Sequence, residues 1–189
     1  MKYDIGLITK YVMEYDAGIP KSVALGISVI TCGAVLLLSV LKPDNPALIR
    51  RVSWWMFLTY LLMVLCFTIF FRAEKNVVQI SMKPIWEYDS LNYNQIAEAI
   101  LNVLLFMPLG FLAGAAIRRK RFWKTVGLCC GISVAIELLQ LITKRGVCNI
   151  DDVIHNTLGC FIGYGLFVLW AVVEFGTPKA KFGRKEMKE

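Results

Sequence analysis

Five long apolar runs organise this chain, at 22–41, 52–71, 99–117, 125–143 and 153–175, and the charged residues fall in the connectors between them. A helix rises about 1.5 Å per residue, so roughly 20 apolar residues cross the ~30 Å hydrocarbon core of a bilayer. Each run has that length. The pattern therefore predicts an all-α fold, a polytopic transmembrane helix bundle of about five spans.

Composition agrees, because a chain that is 57% apolar and only 19% charged has too little polar surface to enclose one soluble core. The net charge of +7 changes the picture only through its placement. Lys and Arg sit in connectors rather than on one soluble face, so no nucleic-acid partner is expected. If the spans alternate, the connectors 42–51 and 118–124 and the tail 176–189 share one side and hold 13 basic residues in 31 positions. The segments 1–21, 72–98 and 144–152 hold 8 in 57. Excess Lys and Arg marks the cytoplasmic side, which puts the N-terminus outside and the C-terminus inside. Trp54, Trp55 and Trp123, at inner span ends, suit the headgroup level, as does Trp86 in the outer connector.

The first twenty residues lack the basic, apolar, small-residue order of a cleavable signal, so the first span is expected to remain. Residues 1–21 then form an outer segment, with Ile5, Leu7, Ile8, Tyr11, Val12 and Tyr15 as the apolar face of an interfacial helix. Five of the six cysteines lie inside spans and read as small packing residues; only Cys148 is in a connector.

Spans one and two carry only Ser28, Thr31, Thr59 and Thr68, hydroxyls that can bond their own helix, and residues 22–91 read as scaffold with an outer connector. Spans three to five differ. Glu98 and Asn102, Glu137 and Gln140, and Asp152 and Asn156 are each three or four residues apart, so each helix has one polar stripe. At 1.5 Å per residue, Asn102, Glu137, Gln140 and Asn156 lie roughly 5 to 9 Å below the outer span ends. This predicts an outward-opening polar pocket among spans three to five. A charged acid at a helix centre costs roughly 2.5–3.5 kcal/mol on insertion scales, so Glu137 and Asp152 need a partner or a function. The competing reading is interhelical hydrogen-bond glue, worth about 0.6 kcal/mol per pair, with even weight for Asn102 and Gln140. Gly110 with Gly114, and Gly159 with Gly163, are GxxxG pairs that permit close helix approach, and Pro108 is expected to kink span three. No zinc spacing or cofactor fingerprint is present; a hard cation on Glu137, Asp151 and Asp152 and a nucleophilic Ser133 are alternatives.

Three motifs in order resemble the VanZ-like family of bacterial membrane proteins, associated with teicoplanin resistance, over roughly residues 92–166. They are the run NVLLFMPLGFL with Asn102, Phe106, Pro108 and Gly110; Glu137 with Gln140; and the stretch holding Arg145, Asp151, Asp152, Asn156, Thr157 and Gly159. His155 departs from that pattern, where an apolar residue is expected. The resemblance implies a bacterial cell-membrane setting and a link to glycopeptide antibiotics, with residues 92–175 as a three-helix core ahead of the basic tail 176–189. The expected function is binding of a membrane lipid or lipid-linked cell-wall precursor headgroup through Asn102, Gln140, Arg145, Asp151 and Asn156. The alternative is an intramembrane enzyme in which Glu137 and Asp152 supply acid and base chemistry. No cofactor or metal is called for by either reading.

Overall fold

The computed structural model describes residues 4–14, 26–27, 30–35, 37, 45–70, 80–82, 84, 93–117 and 121–175. Much of the first predicted span, residues 118–120, the tail 176–189, Trp86, Ser28 and Tyr15 lie outside them. Helix α1 (Ile5–Glu14) is followed by α2 (Pro46–Leu65), which runs on into a π-helical turn at Cys66–Phe70. Next come a two-residue strand β1 (Ile80–Ser81), helices α3 (Tyr93–Ile117) and α4 (Phe122–Thr143), strand β2 (Cys148–Asn149) and helix α5 (Ile150–Phe175). Four helices are long and apolar enough to span a membrane: Ala47–Ile69, Tyr93–Ile117, Phe122–Thr143 and Ile150–Val173. The protein is an all-α membrane-helix bundle. Between α1 and α2, residues 30–35 are also helical, and Thr31 and Val35 are buried in the bundle.

Helix ends follow local chemistry. The Asn45 side chain accepts from the Leu48 N–H at 3.0 Å and Pro46 takes the first helical position, which together start α2. Lys144 closes α4 in the left-handed conformation (φ 57°), and Gly146 (φ 138°) turns the chain toward β2, a conformation costly for any side chain. The hydroxyls expected to bond back do so: Thr31 to the Ile27 carbonyl, Thr59 to Trp55 and Thr68 to Val64, at 2.8–2.9 Å.

The centre of the bundle is α3, which touches α1, α2, α4 and α5 and has its most extensive contact with α5. Both GxxxG pairs lie in that contact. A Cβ on Gly159 would strike the Val103 carbonyl, one on Gly163 the Met107 carbonyl, and one on Gly110 the Cys160 backbone. At Gly114 it would meet the rings of Phe167 and Tyr164. The two helices run parallel, backbone against backbone, at a separation only glycine allows.

Pro108 lies inside α3 and cannot donate to Leu104. The two carbonyls after Leu104 receive donors from other helices: the Tyr60 hydroxyl of α2 reaches Leu105 at 3.1 Å, and the Cys160 thiol of α5 reaches Phe106 at 3.4 Å. Neighbouring helices thus hold the weakened turn, as an apolar environment demands. Around this point Tyr60, Phe106, Leu109, Leu112 and Ile136 are fully enclosed, while Leu62, Leu138, Ile142, Leu169 and Val173 face outward, where lipid covers them.

The two ends of the bundle differ. Trp55 and Trp123 are exposed at one end, together with Arg50, Arg51, Arg121 and Lys124. The starts of α3 and α5 and the end of α4 lie at the other, where β1 pairs in parallel with β2 (Ile80 opposite Cys148, Ser81 opposite Asn149). Helix α1 packs on α3 at this second end, with the Asp4 N–H 3.4 Å from the Tyr93 hydroxyl. Of its predicted apolar face, Ile5 and Leu7 are exposed and Ile8 is half-buried; the side chains of Tyr11 and Val12 lie outside the described residues.

A Gly163→Ala substitution should lower the melting temperature in detergent, because its methyl group enters the Met107 carbonyl and overpacking costs about 1–3 kcal/mol. Gly127→Ala on α4 meets open space and should match or exceed the parent, since alanine favours helix by up to ~1 kcal/mol. Circular dichroism melts of the two variants check this; equal melting temperatures would contradict the close α3–α5 contact.

Candidate functional site

The polar residues of α3, α4 and α5 gather at the end where α3 and α5 begin and α4 stops. The link from α4 to α5 is short and tightly bonded. The Arg145 N–H donates to the Gln140 carbonyl at 3.0 Å, and two residues after Gly146 the chain enters β2. Asn149 then caps α5: its side-chain oxygen accepts from the Asp151 N–H at 3.1 Å. Asp151 and Asp152 fill the first turn of α5, where the positive end of the helix dipole favours carboxylates.

Glu137 is tied to the same corner. Its Oε2 accepts from the Asn149 backbone N–H at 2.8 Å, a short charge-assisted bond if the group is ionised. The Asn149 amide nitrogen lies 3.5 Å from Asp152 Oδ1. One asparagine therefore touches Glu137, Asp151 and Asp152, and it joins α4 to α5. Cys148 is next to this group. Burial raises its thiol pKa, and the negative charges of Glu137 and Asp152 raise it further, so the thiol stays protonated and poorly nucleophilic.

One turn deeper is a second polar layer. The Asn156 amide nitrogen donates to the Ser133 hydroxyl at 2.9 Å, joining α5 to α4 four residues before Glu137. The nucleophilic reading of Ser133 does not suit this placement: its hydroxyl accepts from Asn156, and it is fully enclosed. Gln140 points elsewhere, donating from Nε2 to the Thr68 carbonyl in the π-turn at 3.1 Å and so anchoring α4 to α2. Among the described residues, Asn102 Nδ2, Gln140 Oε1, Asn156 Oδ1 and Thr157 Oγ1 are buried with no hydrogen-bond partner.

Above these layers is an open cleft of about 40 Å³, room for one or a few waters or for the tip of a larger molecule. Gln95, Glu98 and Ala99 of α3 line one wall, and Asn149, Asp151, Asp152 and His155 the other. Of the residues singled out in the sequence, Asp151 and Asp152 line the cleft. Glu137 lies behind it through Asn149, and Asn102 and Asn156 lie one turn below Glu98 and Asp152. Gln140 and Arg145 are not in its walls, and Arg145 contributes its backbone to the end of α4. Among the described residues no three of His, Cys, Asp and Glu are grouped to hold a metal ion, so Glu137, Asp151 and Asp152 do not form the cation cage considered above.

Gln95 and Asn149 were missed. Gln95 shares the helix face of Glu98 and Asn102, three and seven residues on, and Asn149 stands at the cap position before two acids; both signals were readable.

Comparison with known proteins places this geometry in a family. The VanZ/LLP1 family model matches residues 57–171, which begins within α2 and so reaches further toward the N-terminus than the three motifs did. A protein named VanZ from Enterococcus faecium is 28% identical over 114 residues, covering 57% of this chain and 69% of that protein. No solved structure matches.

The Glu137–Asn149 bond can be weighed by substitution. Glu137→Gln keeps an oxygen that accepts the Asn149 N–H, whereas Glu137→Ala leaves that donor unpaired at a cost of about 1–3 kcal/mol. The alanine variant should melt well below the glutamine variant; coincident melts would mean that this bond does not hold β2 to α4.

Proposed function

The chain belongs to the VanZ/LLP1 family, and from that premise we propose that it lowers susceptibility to glycopeptide antibiotics of the teicoplanin type by binding, in the cleft between α3 and α5, the headgroup of a membrane lipid or lipid-linked cell-wall precursor. The observation that carries this reading is the cleft itself. It is a concentration of acids and amides at one end of the bundle, and it lies inside the matched segment. Buried acids are costly in a membrane protein, and three of them beside an open cleft suit recognition better than packing.

Binding fits the geometry better than catalysis. Glu137 uses one carboxylate oxygen on a backbone N–H, Ser133 is enclosed, and the thiol of Cys148 is held protonated. A reacting group would find no activated nucleophile among these three. The unit proposed to carry the function is the core at 92–175, with the two preceding spans as its scaffold. The proposed orientation has the cleft and N-terminus outside and the C-terminus in the cytoplasm, as the Lys and Arg distribution favours.

Orientation is checked by reporter fusions after residue 120 and at residue 189, both of which should report cytoplasm. An external signal from either would reverse the cleft and defeat the proposal.

Function is checked by expressing the protein in a susceptible bacterium and measuring the inhibitory concentration of teicoplanin. The parent should raise it several-fold, and Asp152→Asn and Glu98→Gln should each return it toward the level of the empty host with normal protein abundance. Undiminished protection in both variants would remove the cleft from the function.

A further inference from the structure

Beneath the cleft, the register of α3 against α5 brings two amides to one level. The helices run parallel, and the Cys160 thiol lies 3.4 Å from the Phe106 carbonyl. Four residues earlier on each helix, about one turn or ~5.4 Å nearer the cleft, are Asn156 and Asn102. Four earlier again are Asp152 and Glu98, which line the cleft together. The amide pair is therefore bracketed by residues that the structure brings together above and below it. Cα–Cβ bonds tilt toward the N-terminus of a helix, and both helices begin at the cleft, so both side chains lean toward its floor. Ser133 of α4 closes the layer from a third side, where it accepts from Asn156 Nδ2 at 2.9 Å.

Two atoms of this layer are unmet, and they are complementary. Among the described residues, Asn102 Nδ2 is a buried donor and Asn156 Oδ1 a buried acceptor, neither with a hydrogen-bond partner. Asn156 is 4% exposed and its Nδ2 is committed to Ser133, so its oxygen is the end left to bond. Leaving both atoms unmet in a membrane interior is costly, and one small group that bonds both removes the cost. The requirement is independent of the charge of the acids at the rim.

The pair of atoms selects the group. It must accept from an amide N–H and donate to an amide oxygen through one centre. An ammonium has no lone pair with which to accept, and an ionised phosphate or carboxylate oxygen or an ester carbonyl has no proton to donate. A hydroxyl oxygen does both. We infer that the layer of Asn102 and Asn156 is a hydroxyl subsite, in which one neutral O–H accepts from Asn102 Nδ2 and donates to Asn156 Oδ1. Its oxygen belongs to an alcohol on the headgroup that enters the cleft, or to a bound water in the same place. The first source rests on the headgroup reading above; the second does not.

The test uses the full chain in detergent micelles with two phospholipids of identical acyl chains and equal charge, one with a glycerol and one with an n-propyl headgroup. They differ only in hydroxyls. In native mass spectrometry the parent should retain the glycerol lipid roughly fivefold more than the propyl lipid, the factor for one neutral hydrogen bond of about 1 kcal/mol. In magnetic resonance of isotope-labelled protein, the Asn102 side-chain amide protons should cross-relax with the headgroup protons of that lipid, and the preference should vanish in Asn102→Leu. That result assigns the hydroxyl to the ligand. If the two lipids are held equally, or neither is held, the same amide protons should cross-relax with a long-lived water, which assigns the hydroxyl to water. Equal retention leaves headgroup binding standing, whereas failure to hold either lipid removes it and leaves the subsite to the water signal. Absence of both a glycerol preference and a water signal at Asn102 overturns the inference, and that measurement needs no variant to fold. A glycerol preference that survives Asn102→Leu, or that comes without contact between the headgroup and the Asn102 amide, overturns it as well.

Discussion

The architecture depends on the contact between the backbones of α3 and α5. Gly159 and Gly163 lie on the carbonyls of Val103 and Met107, and Gly110 on the backbone of Cys160, so the axes approach more closely than any side chain would permit. In lipid there is no hydrophobic gain from pairing two apolar helices, and close van der Waals packing must supply the attraction instead. Because the pair is parallel, both helices begin at the same end. Two helix N-termini and the acids beside them are thereby brought face to face, which is the origin of the cleft.

Once that pair is set, the remaining polar groups act as ties between elements. Asn149 links Glu137 on α4 to the start of α5, Asn156 reaches Ser133, Gln140 reaches the carbonyl of Thr68, and Tyr60 reaches that of Leu105. Each bond is worth little singly but is costly to leave half made in a low-dielectric interior. The pairing of β1 with β2 adds a further tie, from the connector after α2 to the turn after α4. Among the described residues, the end that carries the cleft is tied through Asn149 and the β1–β2 pairing. The opposite end is held by aromatic and aliphatic packing and by exposed Trp and Arg side chains suited to a headgroup layer.

The chain alone determined the class of fold, because runs of about twenty apolar residues have no stable place except across a bilayer, and charge asymmetry between connectors is a one-dimensional signal. It also determined the polar stripes and the glycine pairs, since helical periodicity places residues three or four apart on one face whatever surrounds them. The motifs around Asn102, Glu137 and Asp152 sufficed for the family resemblance, while the family model's reach into α2 left no comparable motif to read. Which stripes meet was decided only in three dimensions. Gln140 and Glu137 share a face of α4, yet one turns to Thr68 and the other to Asn149, because the neighbours α2 and α5 flank that face on different sides. Ser133 became an acceptor through Asn156, 23 residues away, and the cleft drew on Gln95 and Asn149 while Gln140 and Arg145 stayed out of its walls. Spacing along a helix sets the direction of a side chain; what it touches depends on the rotation and register of the helix opposite, and those were set by where glycine let two backbones meet.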